Sequence, residues 1–415
     1  MQGTLVGFLA LGWMALCAAP AGAAESAPAD DFGAGVRAFS AARHQLAVEL
    51  AERLGLALPE KAVSFFEAAE AGDWAAVSNR FQRLKAPGTG GWQAPGLQNE
   101  LWACVHETLG LWEVWINWKQ DSELLRLYYE PILASMPEGS LYFGGTDAGR
   151  FVITAVNALK DPPPLFTLTQ NALADNTYMA HLRAVYGENI WLPTPEDSNQ
   201  AFRQYVEDVQ AGRIEAGAEV SIKDGRVSVQ GVAGVMMING ILADMIFEHN
   251  RSERAIFLEE SYVVPWMYPY LEPRGLILKL NPEPLGELPA AAVARDRTFW
   301  KKQIALLEKQ PGFESNTEAR KAFSKLRSAI AGVYAYRKMP DEAEAAFRQA
   351  LRLYPLSPEA HFRLAALYEE QGELEKARAL MTAFLQSAPP DGREQAGLYL
   401  ERLEERMQEP GESSL

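Results

Sequence analysis

The feature of this 415-residue chain that most restricts its fold is a spacing near the C-terminus. Ala331, Tyr334, Ala343, Phe347, Ala350 and Pro355 recur 34 residues later as Ala365, Tyr368, Ala377, Met381, Phe384 and Pro389, with Ser324 and Pro358 opening the two units and Leu364 in phase. Small residues at fixed positions let paired helices approach, larger ones fill the gap, and the proline stops the second helix. One such pair cannot bury its own apolar face, so consecutive pairs must stack. Residues 311–409 are therefore expected to form an all-α stack, closed by the charged stretch Arg393–Met407, with 410–415 as a tail.

The phase and the residue types resemble the tetratricopeptide repeat. That resemblance implies a groove offered to a protein partner, or a stack docked on its own chain.

Upstream, residues 24–130 read as a helical segment. Val36–Leu54 has apolar residues at helical spacing, and SFFEAAEAGDWAAVSNRFQRLK reads as two helices joined at Gly72–Asp73, with Asp73 capping the second. The run APGTGGWQAPG, 86–96, is a loop by its Gly and Pro content. Leu97–Tyr129 is expected to be one long helix carrying Trp102, Trp112, Trp115 and Trp118. Packing between layers accounts for this stripe better than a sugar-stacking platform does. Cys104 lies on its apolar face as a buried, inert thiol.

Residues 131–310 alternate strands and helices, which predicts an α/β domain: a mixed, mainly parallel sheet with helices on both faces. Strands are expected at 140–143, 165–169, 190–192, 255–258 and 276–280. Helices are expected at 150–159, 176–186 and 232–249, and from the capping run Thr194-Pro195-Glu196-Asp197. EVSIKDGRVSVQ, 219–230, reads as a hairpin around Asp224–Gly225. The proline-broken aromatic run Tyr262–Pro273 reads as a loop.

Composition narrows the partners. Lys and Arg number 39 against 54 Asp and Glu, a net charge of −15, so phosphate backbones and anionic lipid are repelled. Residues 1–23 carry no charge, run apolar from Leu5 to Ala19 and end in Ala21-Gly22-Ala23, the pattern of a signal peptide cleaved near Ala23. A periplasmic or secreted protein without an integral span in the mature chain follows. The first basic residue is Arg37, which leaves a retained N-terminal anchor as the alternative.

No HExxH, paired CxxC, GxSxG or GxxxxGK[ST] motif is present, so no catalytic residue, metal or cofactor is assigned. His44, His106, His181, His249 and His361 are scattered, and each reads as a surface or capping residue rather than a ligand. One ligand-binding constellation stands out, because open sheets collect ligands at strand carboxyl ends. Three strands end in polar runs: Gly144, Gly145, Thr146, Asp147 and Arg150; then Gln170, Asn171, Asp175 and Asn176; then Glu259, Glu260 and Ser261. If these strands are neighbours, an anion or sugar can sit on the amides after Gly145 while Asp and Asn side chains read hydroxyls. The competing role for the same residues is helix capping and turn formation.

The stretches LYFGGTDAGRFV, FTLTQNALADNTYM, DSNQAFRQYVEDVQAG, VQGVAGVMMINGILADMIF and LEESYVVPWMYPYLEPRGLILKLN resemble an uncharacterised family of bacterial exported proteins. That region is similar to the soluble part following the membrane spans of glycosyltransferase-like proteins of unknown function. The resemblance covers roughly residues 60–305 and implies an extracytoplasmic α/β domain and a connection with envelope glycans or nucleotide sugars. It transfers no catalytic residues. Together these features describe an exported, non-enzymatic interaction or scaffold protein of the cell envelope. The alternatives are a glycan-binding or glycan-modifying protein, and a soluble accessory subunit of a membrane glycosyltransferase.

Overall fold

The computed structural model describes residues 31–85, 97–187, 189–213, 220–223, 226–229, 232–259 and 264–408. The leader, the 86–96 loop, the Asp224–Gly225 turn, Glu260 and the C-terminal tail lie outside the described residues.

Five helices lead. Helix α1 (Phe32–Arg53) is capped by Asp31, whose side chain accepts from the Ala34 amide at 3.2 Å. Helices α2 (Glu60–Ala71) and α3 (Trp74–Leu84) meet at Gly72, where φ is +81°, and Asp73 caps α3 as expected. The expected long aromatic helix is two helices, α4 (Asn99–Asn117) and α5 (Ser122–Ala134). Lys119 and Gln120 turn through positive φ, and Asp121 then caps α5 by accepting from Leu124 N at 3.0 Å. All four tryptophans of this region are buried, so the stripe is core and no sugar platform exists there.

The sheet has the order β2 (Phe166–Thr169), β1 (Leu141–Gly144), β5 (Ile256–Leu258), β7 (Ile277–Leu280), β6 (Leu271–Arg274). Strand β1 (Leu141–Gly144) runs parallel to β2 (Phe166–Thr169) on one side. The chain passes from β1 through a π-helical turn, Ala148–Val152, and α6 (Ile153–Ala158) into β2. It then runs through α7 (Asn176–Tyr186), α8 (Pro195–Gln210), the separate antiparallel hairpin β3 (Val220–Lys223) and β4 (Arg226–Val229), and α9 (Val232–Asn250). It returns on the other side of β1 as parallel strand β5 (Ile256–Leu258), which makes the β1/β5 edge a topological switch point. The Thr194 capping box at the start of α8 is formed as read from the sequence.

Two expectations are corrected here. The sheet is not mainly parallel, because β5–β7 and β7–β6 are antiparallel and balance the two parallel pairs. Part of the run expected as a loop folds as a 3₁₀ turn, Pro265–Tyr270, and an edge strand β6 (Leu271–Arg274) paired with β7 (Ile277–Leu280). Pro273 is tolerated because an edge strand has one side without ladder bonds. The strand expected at Ile190–Leu192 does not form. The Trp191 backbone is instead gripped by the Asn250 side chain, which accepts from its N–H at 3.0 Å and donates to its C=O at 3.1 Å.

Helix α10 (Ala290–Leu307) leads into the repeat stack of α11 (Thr317–Tyr336), α12 (Pro340–Leu353), α13 (Pro358–Glu370), α14 (Leu374–Ser387) and the closing α15 (Pro390–Gln408). Each small or large position named above on these helices is buried, and Pro355 and Pro389 follow the ends of α12 and α14. The stack docks on its own chain through α11. Phe323 packs against Trp118 and Tyr128 at centroid distances of 6.2 and 5.6 Å. Arg327 pairs with Asp296 of α10 in a fully buried bridge, and Tyr334 donates to the same carboxylate at 2.8 Å. Tyr336 stacks on Tyr268 at 5.0 Å, and one hydrophobic cluster runs from Val36 to Leu403. Between Ala319 and Ala335 only Lys321 and Lys325 are exposed.

Two glycines give opposite expectations. A Cβ on Gly110 would stand 2.2 Å from the Phe151 ring, so Gly110→Ala should lower stability by about 1–3 kcal/mol in urea unfolding. Gly397 in α15 has nothing within 4 Å, so Gly397→Ala should raise stability by about 0.5–1 kcal/mol in the same measurement.

Candidate functional site

The switch point at the carboxyl ends of β1 and β5 is occupied by the protein itself. Glu259 is fully buried, and its Oε2 accepts from the amides of Gly145 and Thr146 at 2.7 and 2.8 Å. Its Oε1 accepts from the Thr146 and Tyr128 hydroxyls, each at 2.6 Å. The Thr146 hydroxyl also accepts from Gly149 N at 3.0 Å, starting the π-helical turn. Two glycines make room. A Cβ on Gly149 would lie 2.1 Å from Glu259 Oε2, and one on Gly144 would lie 2.8 Å from the Arg150 backbone. Burial pushes the Glu259 carboxyl above its usual range, against the pull of the Thr146, Tyr128 and Gly145 donors.

The sequence expectation is therefore corrected at its centre. The amides after Gly145 do hold an anion, but it is Glu259, which leaves the ligand-contact set. Asp175 caps α7, accepting from Thr177 N at 2.8 Å, and Asn176 is an exposed residue of its first turn. Asp175 thus takes the capping role, and neither residue lines the cleft walled by Asp147 and Asn171.

Gly145, Thr146, Asp147 and Asn171 do converge. They form one wall of a cleft of about 660 Å³, the opposite wall coming from the repeat stack: Lys321 and Lys325 of α11, then Tyr354, Leu356, Ser357, Pro358 and Pro389. Arg150 joins the first wall from behind, donating to Asp147 Oδ1 at 2.5 Å and reaching Asn171 Oδ1 at 3.5 Å. Nothing in the strand-end motif pointed to the second wall. The signal available was the pair Lys321 and Lys325, four apart in a segment otherwise dominated by small and apolar residues.

A second feature was also missed. Glu107 of α4, Arg43 of α1 and His181 of α7 meet inside the helical layer, Arg43 Nε contacting Glu107 Oε2 and His181 Nε2 lying 3.7 Å from Glu107 Oε1. His181 is buried rather than superficial, which corrects its expected surface or capping role, and burial lowers its pKa. His361 is buried too, stacked on Phe384 at 4.2 Å, and burial shifts it the same way. Cys104 beside His181 is buried, and desolvation pushes its thiol up to about 12, as an inert group requires.

A family model described as tetratricopeptide repeat matches residues 333–392. The C-terminal stack carries this repeat. The match runs from the last turn of α11 into α15 and so contains the Tyr354–Pro358 corner and Pro389 of the cleft. Among curated proteins no match to the chain is found. Tetratricopeptide stacks are protein-interaction modules.

The Glu259 network orders two variants. In Glu259→Gln the carbonyl can still serve the two amides while the Tyr128 and Thr146 hydroxyls rotate to accept, so only charge assistance is lost, about 1–2 kcal/mol. Glu259→Ala strands all four donors and should cost about 3 kcal/mol or more, both read by urea unfolding. The buried histidines set a pH dependence. With folded pKa values lowered, His181 and His361 take up protons in the unfolded chain before they do in the folded one. Stability should therefore fall as pH drops through their ordinary value near 6.5. Melting temperatures between neutral and mildly acidic pH check this, and His181→Asn should flatten the slope.

Proposed function

We propose that this chain is an exported, non-enzymatic interaction protein of the cell envelope, holding a segment of a protein partner between its tetratricopeptide stack and the strand ends of its sheet. The observation that carries the reading is the cleft itself: about 660 Å³, walled on one side by the repeat and on the other by the sheet's switch point. Clefts of this size between packed units are where ligands bind. The apolar leader followed by Ala21-Gly22-Ala23 supports export.

Site-specific photocrosslinking tests the reading. A crosslinking amino acid at Leu356, which is 36% exposed on the cleft, should yield one discrete protein adduct in cells. The same group at Leu398, 61% exposed on α15 and outside the cleft, should yield none. Equal adducts at both sites, or none at Leu356, would remove the cleft from the function.

A further inference from the structure

We propose that the cleft selects an acidic-apolar segment of the partner, seating a carboxylate on Lys325 and the adjoining apolar side chain on Leu356 and Tyr354. This inference rests on the protein-interaction reading above. The fixed charges around the cleft are already matched in all but one place. Asp147 is held by Arg150 at 2.5 Å, Glu318 by Lys321 at 2.8 Å, and Glu359 by Arg363 at 3.4 Å. Lys325 has no acidic partner among the described residues. It stands one helical turn beyond Lys321, on a helix whose central part reaches solvent only through these two lysines. Among the described charges lining the cleft, Lys325 is the one left without a counter-ion, in a chain with a net charge of −15. An incoming carboxylate there gains a charge-assisted hydrogen bond, whereas a neutral ligand gains no charge match.

The rest of the lining separates a peptide from a sugar. The repeat-side wall offers Leu356, exposed to 36%, with Tyr354, Pro358 and Pro389, which together give an apolar side chain a surface to cover. Side chains suited to hydroxyls, Asp147 and Asn171, stand on the opposite wall, and Arg150 engages both. Apolar contact beside a single cation is the chemistry of an acidic-apolar peptide.

The test uses the full mature chain and two sets of end-capped hexapeptides, one alternating glutamate with leucine or phenylalanine, the other with glutamine replacing glutamate. Glucuronate is a third probe, and binding is read by calorimetry. The acidic set should bind more tightly than the glutamine set by at least about tenfold. Lys325→Glu should weaken the acidic set by a similar factor with an unchanged melting temperature, while Lys325→Arg and the exposed off-cleft variant Lys301→Glu should retain binding. Equal binding of both sets, or indifference to Lys325→Glu, overturns the charge selection while leaving protein interaction standing. Binding of glucuronate alone overturns the peptide in favour of an acidic sugar. No binding by either set, together with no Leu356 adduct, overturns the inference and the reading beneath it.

Discussion

Helix α11 packs on two sides within one continuous core, and the architecture follows from that constraint. One face carries the repeat positions Ala331 and Tyr334 against α12, and the other carries Phe323 into the Trp118–Tyr128 aromatic group beneath the sheet. The Arg327–Asp296 bridge lies at the junction, with Tyr334 on the same carboxylate and Gln349 accepting from Arg327 Nε at 2.8 Å. A buried ion pair of this kind adds little net stability over an apolar replacement, but a shifted register leaves its charges unpaired. In the observed docking geometry the pair is satisfied, with apolar contacts around it. The strand ends and the repeat corners face each other because of that geometry.

The other wall depends on Glu259. Where the sheet reverses direction, the amides at the end of β1 have no strand to pair with, and an open fold of this type leaves them to a ligand. Here the next residue after β5 supplies the anion. The arrangement needs Gly149, whose absent side chain leaves space for the carboxylate, and Tyr128, which ties the group to α5. Gly145 and Thr146 still line the cleft, but with their amides engaged by Glu259 the polar side chains left to that wall are those of Asp147 and Asn171.

Much of this was legible in local patterns. The 34-residue phase located the stack because helix pairing imposes residue size at fixed positions, and Asp73, Asp175 and Thr194 announced helix starts through capping chemistry. What escaped was decided by contacts distant in sequence. The break at Lys119–Gln120 follows from Asp121 capping a new helix inside a continuous apolar pattern. Strand β6 forms only because β7 offers a partner edge to a proline-containing run. Glu259 read as a rim residue because sequence shows that a carboxylate ends the strand, not that four donors from two other elements surround it. Lys321 and Lys325 drew no reading from the sequence, since the wall they face is contributed by residues about 150–180 positions earlier in the chain.

The same distance bears on what the repeat is in this protein. Tetratricopeptide stacks commonly behave as separable units, with stability summed over repeats and their neighbours. Here the first helix of the stack buries Phe323, Leu326 and Ile330 together with the buried charges of Arg327, and part of that cover comes from α10 and the sheet domain. Cut free, the stack would expose Phe323 and lose the Asp296 carboxylate that pairs Arg327. On the proposed reading the repeat is one wall of a cleft shared with the strand ends, rather than a module appended to the rest of the chain.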